Sequence, residues 1–254
     1  MSTRFSGRTA LVTGAGSGIG RAIALAFAAE GAQVVVAGRR RDPLDETVAL
    51  IEGLGGKALA VTADVSRAAD ADALVAATVD HFGSLDVAVN NAGIFRGGQP
   101  LADLPEADWR TQLDINVSGV FLALQAQIRR MRTQSSGGAI VNLSSTFGLH
   151  KTVAGATAYS TSKAAVTALS RGAALDHIRD GVRINVVSPG ATDTPMSLGP
   201  GETVAGRTER AKATLPLGRI SATGEVAAAV LYLASDDAAS VVGTDLVVDS
   251  GGSL

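Results

Sequence analysis

Short apolar runs rich in β-branched residues recur along the chain at 10–13, 34–37, 58–62, 85–90, 139–143, 183–187 and 246–248, and longer alanine-rich stretches with helical spacing separate them. About seven strands alternating with helices predict an α/β fold built on a doubly wound parallel sheet. Right-handed crossovers place the helices on both faces, and ligands then bind at the carboxyl ends of the strands, where strand order reverses. In the first helical stretch Ile19, Ile23, Phe27 and neighbouring alanines form one apolar stripe, with Arg21 and Glu30 off it, so this helix is expected to pack on the sheet. No repeat, linker or low-complexity segment divides the chain, which predicts a single catalytic domain over 1–254. Between Pro195 and Pro216 the pattern turns polar and only weakly helical. A stretch that long without strong pattern in a compact domain is usually functional, and a mobile substrate lid at about 195–216 is expected.

The first strand runs into T-G-A-G-S-G-I-G at 13–20, directly before the helix. A strict G-x-G-x-x-G is absent. The physics of the turn still holds, because backbone without Cβ atoms lets N–H groups approach a pyrophosphate and the helix N-terminus adds partial positive charge. Tight packing alone is the alternative. In dinucleotide-binding folds an acidic residue about 20 positions on binds the ribose hydroxyls. Here Gly38 stands in that place, followed by Arg39, Arg40 and Arg41. No carboxylate repels a 2′-phosphate, and guanidinium groups can clamp one, so NADP is favoured with NAD possible. Arg39 is the leading candidate, against the alternative of a solvated surface cluster.

Further on, Tyr159-Ser-Thr-Ser-Lys163 puts a phenol and an ammonium four residues apart, on one face of a helix. A free tyrosine titrates near 10, and a neighbouring cation is expected to lower that value toward neutrality, which makes acid–base work feasible. This pair by itself is weak evidence, since helix-surface pairing produces the same spacing.

Composition narrows the classes. With 254 residues, 46% of them hydrophobic, and a net charge of −2, a sizeable core can be buried but no polyanion-binding surface is expected, which argues against nucleic acid. There is no cysteine, so disulfides and thiolate metal sites are excluded, and the three histidines are too far apart in sequence to suggest a metal. The opening M-S-T-R-F-S-G-R lacks the order of a signal peptide, and no apolar run approaches the roughly 20 residues of a membrane span, which predicts a soluble, cytoplasmic protein.

Taken together these motifs resemble the short-chain dehydrogenase/reductase family over nearly the whole chain. The turn at 13–20, Asp64-Val65 after the third strand, Asn90-Asn91-Ala92-Gly93 after the fourth, Asn116 in D-I-N-V-S-G, Ser145 in N-L-S-S-T-F-G, and Tyr159 with Lys163 follow in the family's order. The resemblance implies a Rossmann-type domain and a catalytic tetrad of Asn116, Ser145, Tyr159 and Lys163. It implies that Tyr159 exchanges a proton with the carbonyl oxygen, Ser145 holds that oxygen, Lys163 acts on the tyrosine and the nicotinamide ribose, and Asn116 positions a water. Cofactor contacts are implied at Gly14, Ser17, Gly18, Ile19, Gly20, Asp64, Val65, Asn91, Ala92, Gly93, Tyr159 and Lys163. They continue at Pro189, Gly190, Thr192 and Thr194 in the segment after the sixth strand. Ser144 is expected to bond locally, and Asp64 could instead cap the next helix.

Phe95, Phe147, Leu149, Val153, Met196 and Leu198 are candidates for a largely apolar pocket, with core packing as the competing account. His150 could meet a polar substrate group or simply be exposed. The last strand is apolar and would be a sheet edge; edges are generally covered, and members of the resembled family do so by assembling, so a homodimer or homotetramer is expected. The leading expectation is an oxidoreductase passing a hydride between NADP(H) and a small ketone or secondary alcohol: a carbonyl reductase, a 3-oxoacyl-reductase-like enzyme, or an alcohol or sugar dehydrogenase. The rival is a cofactor-binding regulator without turnover. A methyltransferase is disfavoured by Gly38, where an acid would be expected.

Overall fold

The computed structural model describes residues 3–199 and 201–254. One seven-stranded, all-parallel sheet runs through it in the order β3-β2-β1-β4-β5-β6-β7. The strands are β1 (Thr9–Thr13), β2 (Gln33–Gly38), β3 (Lys57–Thr62), β4 (Val87–Asn90), β5 (Gly138–Leu143), β6 (Val182–Pro189) and β7 (Asp245–Val248). Each matches an expected run to within a residue or two. The larger trims and extensions have causes: β4 begins at Val87 because the Leu85 N–H donates to the Gln134 side chain (3.0 Å) rather than to a strand.

Successive side chains of a strand face opposite sides of the sheet, so each strand supplies two cores. Ala10, Val12, Val34 and Val36 pack with α1 (Gly18–Ala29), α2 (Arg41–Gly53) and, later in the chain, α9 (Thr223–Ala234). Leu11, Val35, Ala88, Ile140 and Ile184 face the other way, against α3 (Ala68–Phe82), α5 (Gly119–Met131) and α7 (Thr157–His177). The expected stripe of α1 is present, with Ile23 and Phe27 fully buried and Ile19 partly so. Strand order reverses between β1 and β4, and the loops leaving their carboxyl ends open the crevice where this fold binds ligands.

Three shorter helices are α4 (Glu106–Leu113), the single turn α6 (Thr146–Leu149), and α8 (Val204–Thr214). Between α4 and α5 the helix widens into a π turn at Asp114–Ser118 that carries the buried Asn116. Such bulges cluster at functional sites. The segment at 195–216 contains more order than its sequence pattern suggests. Thr203 caps α8 by accepting the Gly206 N–H (3.1 Å), and α8 buries Arg207 and Ala211 instead of an apolar stripe. A helix whose buried face holds an arginine shows little helical periodicity, which is why the pattern looked weak. Residue 200 of this segment lies outside the described residues. β7 does lie at one edge of the sheet.

Candidate active site

The glycine turn is built by close backbone packing. A Cβ on Gly20 would lie 2.3 Å from the Gly14 carbonyl oxygen and 2.5 Å from Asn91 Nδ2, so no side chain fits there. Gly14 adopts a left-handed φ of +66°, with Ala92 pressed against it. Asn91 acts on the turn itself: its Nδ2 donates to the carbonyls of Thr13 (2.9 Å) and Gly14 (3.3 Å). Thr13 Oγ1 in turn accepts the N–H groups of Asn91 and Ala92. The two loops at the switch point are thereby one rigid unit.

Ser17 is the N-cap of α1, yet its hydroxyl makes no cap bond, so it is free to meet a ligand in front of the helix. Sequence reasoning missed Arg21. Its guanidinium donates to the Gly16 carbonyl (2.5 Å), Thr47 and Glu46, and so braces the turn from behind.

Beside the turn a cleft of about 390 Å³ is lined by Gly14, Gly16, Ser17, Gly38, Arg39, Arg40, Pro43 and Leu44. The three arginines separate here. Arg41 pairs with Asp45 on its own helix (2.8 Å), whereas Arg39 and Arg40 are exposed along the cleft. Asp64 sits at the end of β3 and bonds Ser66 through both its N–H (3.0 Å) and its hydroxyl (2.7 Å). Those bonds first, and the field of Arg39 and Arg67 after them, hold the Asp64 carboxyl below its ordinary value. It does not cap α3, whose N-cap is Arg67. Val65 packs against Gly119 at the start of α5.

The expected tetrad converges. Ser145, at the end of β5, is the N-cap of α6 and accepts the Phe147 N–H (3.2 Å). Its side chain also donates to the Pro189 carbonyl (3.5 Å) and lies near enough to the Tyr159 hydroxyl to favour the ionised phenol. Lys163 is buried, donates from Nζ to the Leu143 carbonyl (2.8 Å), and lies 5.7 Å from the centroid of the Tyr159 ring. Asn116 holds Ile94 by two bonds of 2.9 Å each, Oδ1 accepting and Nδ2 donating, and donates to Ser162 as well. Gly93 lies between them: a Cβ there would be 3.3 Å from Asn116 Oδ1 and 3.4 Å from Lys163 Nζ. Contrary to the expected local bond, Ser144 donates to the Lys163 carbonyl on α7 (2.8 Å), 19 positions away.

One expectation is corrected. In this arrangement the Tyr159 hydroxyl is pushed above its ordinary pKa by desolvation, an effect that the neighbouring Ser145 hydroxyl only partly offsets. Lys163 is itself lowered to about 8 by burial. Burial is therefore the dominant influence on the phenol in this arrangement, while the Lys163 ammonium donates to the Leu143 carbonyl.

After β6, Pro189 closes the strand and Gly190 packs so tightly on Asp249 that a Cβ would approach to 2.5 Å. Thr192 pairs with Ser221 as an isolated parallel bridge whose bonds use the Asp193 N–H and the Ala191 carbonyl. In such a bridge the peptide groups alternate, which turns the Thr192 N–H to the opposite side. Thr194 is half-buried and touches Gly18, since a Cβ on Gly18 would lie 3.2 Å from its methyl. Phe95 and Phe147 stand edge-on to Tyr159 at 5.3 and 6.4 Å, while Leu149 and Met196 are more than half exposed rather than packed in the core. His150 does not point free: its Nε2 lies 3.0 Å from the side chain of Asp245, which is 2% exposed. Among the described residues no group of three His, Cys, Asp or Glu could hold a metal, and no helix is long and apolar enough to cross a membrane.

The architecture defines an oxidoreductase of the dinucleotide-dependent kind. Residues 14–253 match a family model described as enoyl-(acyl carrier protein) reductase. The cis-4-hydroxycyclohexanecarboxylate dehydrogenase of Sinomonas cyclohexanicum is 41% identical, with 99% of this chain and 98% of that protein covered. The cyclohexanol dehydrogenase of an Acinetobacter species is 38% identical, with 98% and 96% covered. A crystal structure of a short-chain dehydrogenase from Burkholderia cenocepacia in complex with NADP superposes with a TM-score of 0.90 at 35% identity, over 99% of this chain and 100% of that one. The chain belongs to the short-chain dehydrogenase/reductase family. It is an enzyme of the alcohol-dehydrogenase type, and its family binds NAD(P).

Proposed function

We propose that the protein interconverts a secondary alcohol, cyclic in its preferred form, and the corresponding ketone, with NADP(H) as the hydride carrier and Tyr159 as the proton donor and acceptor. The observation that carries this reading is the meeting of Ser145, Tyr159 and Lys163 beside the Phe95 and Phe147 rings, together with a cleft edged by Arg39 and Arg40 at the β1–β2 side of the same sheet. The residues fit the cofactor. The glycine turn offers bare backbone and a helix N-terminus to a pyrophosphate, Ser17 and Thr194 flank it with hydroxyls, and the two arginines can take a 2′-phosphate.

Bound there, the nicotinamide supplies the hydride acceptor or donor. Gly14, Ser17, Gly18, Ile19 and Gly20 would hold the pyrophosphate side; Asp64, Val65, Ala92 and Gly93 the adenine and ribose side. Asn91 would fix the turn. Pro189, Gly190 and the outward Thr192 N–H would orient the carboxamide, and Lys163 the nicotinamide ribose. Ser145 donates to the substrate oxygen and keeps it beside the Tyr159 hydroxyl. In reduction Tyr159 gives its proton to that oxygen; in oxidation it takes the proton back. Asn116 keeps Ile94 and the Gly93 backbone against Lys163, and so preserves the path by which a water reaches the lysine. Phe95 and Phe147 exclude bulk water and present ring edges to an apolar substrate. Relatives named for a cyclohexanol and a hydroxycyclohexane carboxylate support a cyclic substrate.

Cofactor choice is tested by kinetics with both dinucleotides. The native protein should prefer NADP at least tenfold in kcat/KM. Arg39→Leu with Arg40→Leu should lose about 2 kcal/mol of 2′-phosphate binding, or roughly thirtyfold, with NAD kinetics nearly unchanged. A native preference for NAD sinks this part of the reading.

The segment at 195–216 serves as the substrate lid in a single catalytic domain. Arg207, buried on α8, reaches Asp193 (2.5 Å), the Thr194 carbonyl (3.2 Å) and Ser197 Oγ (2.9 Å), so the helix hangs on the loop after β6 that would touch the nicotinamide. Assembly belongs to the same reading. Phe121 on α5 and Leu175 on α7 are 44% and 79% exposed, and a homodimer or homotetramer formed through these helices would cover them. Sedimentation should give two or four copies, and a monomer at micromolar concentration rejects that prediction.

A further inference from the structure

His150 is the C-cap of α6, and α6 is a single turn of four residues. One hydrogen-bonded turn does not hold itself in water, so its place is set by what anchors its two ends. At the front stands Ser145, whose hydroxyl accepts the Phe147 N–H. At the back stands His150, whose backbone N–H closes the turn on the Thr146 carbonyl (3.1 Å) and whose ring reaches Asp245 at 3.0 Å.

Asp245 opens the edge strand β7, and its side chain is 2% exposed. A carboxylate removed from water to that extent needs strong donors. It has the Ser188 hydroxyl at 2.6 Å, the Thr167 hydroxyl at a long 3.4 Å, and His150; of these, only His150 can bring positive charge. The Thr167 hydroxyl also reaches Ser144 Oγ (3.1 Å), which donates to the Lys163 carbonyl. One carboxylate therefore touches the back of α6, the end of β6 and the helix that carries Tyr159 and Lys163. Lys151, the next residue, adds a second tether by donating from Nζ to the Gly252 carbonyl (2.8 Å).

We propose that His150 is a positioning residue for the reaction, clasping α6 to Asp245 so that Ser145 at the opposite end of the turn stays aimed at the substrate oxygen. The proposal rests on the role given to Ser145 above. It assigns His150 neither contact with the substrate nor a share in proton transfer. Its effect falls on kcat, because an oxygen bound less well in the transition state slows the chemical step, while the dinucleotide cleft on the far side of β1 is untouched.

The test compares His150→Gln, which keeps a donor at similar reach, with His150→Phe, which keeps the volume and loses the donor. Rates are read as cyclohexanol oxidation with NADP, alongside the dissociation constant for NADPH. His150→Gln is expected within threefold of the native kcat. His150→Phe is expected at least tenfold down in kcat, with the NADPH constant changed less than twofold. Asp245→Asn in the His150→Phe background removes the buried charge and keeps the protein folded for the comparison; its kcat should stay tenfold down, and a native rate there overturns the clasp. Equal rates in His150→Gln and His150→Phe do the same. Ser145→Ala separates the two levels: loss of turnover there with no response at His150 rejects the clasp alone, whereas retained turnover in Ser145→Ala rejects the clasp and the reading of the site together.

Discussion

Tyr159→Phe is expected to cut turnover of a cyclic alcohol by about a thousandfold, the scale of a lost general acid–base group, while NADPH binds as before. The substitution is conservative in shape. The ring keeps its edge-on contacts with Phe95 and Phe147 and its place beneath the Lys163 ammonium, so packing changes little. What disappears is one hydroxyl and the influence of the neighbouring Ser145 on it. Burial holds that hydroxyl above its ordinary pKa, so at neutral pH it is protonated and poised as an acid. Ketone reduction should therefore hold its rate from mildly acidic to neutral pH. Alcohol oxidation, which needs the phenol to accept a proton, should climb as pH rises. Stopped-flow measurement of the reduced-cofactor absorbance in both directions, with NADPH titrated by fluorescence, checks each point. Turnover within tenfold of native in Tyr159→Phe removes the phenol from the mechanism.

The parts of the molecule that could be read in the sequence are those fixed by local rules. Seven apolar runs became seven strands because a strand buried on both faces of a parallel sheet must be apolar at nearly every position, and the strands depart from the runs only by a residue or two at their ends. The turn at 13–20 was legible because close backbone approach demands glycine, whatever the rest of the chain does, and the structure shows Gly20 pressed on the Gly14 carbonyl. Tyr159 and Lys163 were legible through helical spacing. The rest depends on partners far away in the chain. Asp245 stands 95 positions from His150, Glu46 25 positions from Arg21, and neither separation leaves a periodic trace. The π turn that carries Asn116 changes the hydrogen-bond register inside a continuous helix, and the Gly119 that follows it is too common a residue to announce the change. α8 was obscured because its inward face is an arginine held by Asp193 rather than an apolar stripe. Even the tyrosine–lysine pair was only half legible. Spacing placed the two side chains together, yet the direction of the shift at the phenol is decided by its burial, which spacing does not report.

Lys163→Met is expected to abolish turnover and at the same time make the protein more stable. Lys163 is 4% exposed, and burial alone lowers it from 10.5 to about 8. In the unfolded chain the lysine binds its proton up to about 10.5, whereas in the folded chain it releases it near 8. Between those values the unfolded state holds more protons, so native stability rises with pH across the window, by about 3 kcal/mol in total. Below pH 8 the full penalty of burying the ammonium is present. Methionine carries no such penalty but leaves the Leu143 carbonyl without its donor, at a cost of about 1–2 kcal/mol. The net gain near neutrality is about 1–2 kcal/mol, or a few degrees in Tm for a domain of this size. That gain should shrink and then reverse as the pH is raised from 8 toward 10.5, because only the native protein stabilises there. Denaturant melts of both proteins at pH 7 and pH 10 measure the difference directly. A variant less stable than native at pH 7 would mean that the bond from Nζ to Leu143 outweighs the desolvation of the charge, and that the lysine is kept for the fold as much as for the chemistry.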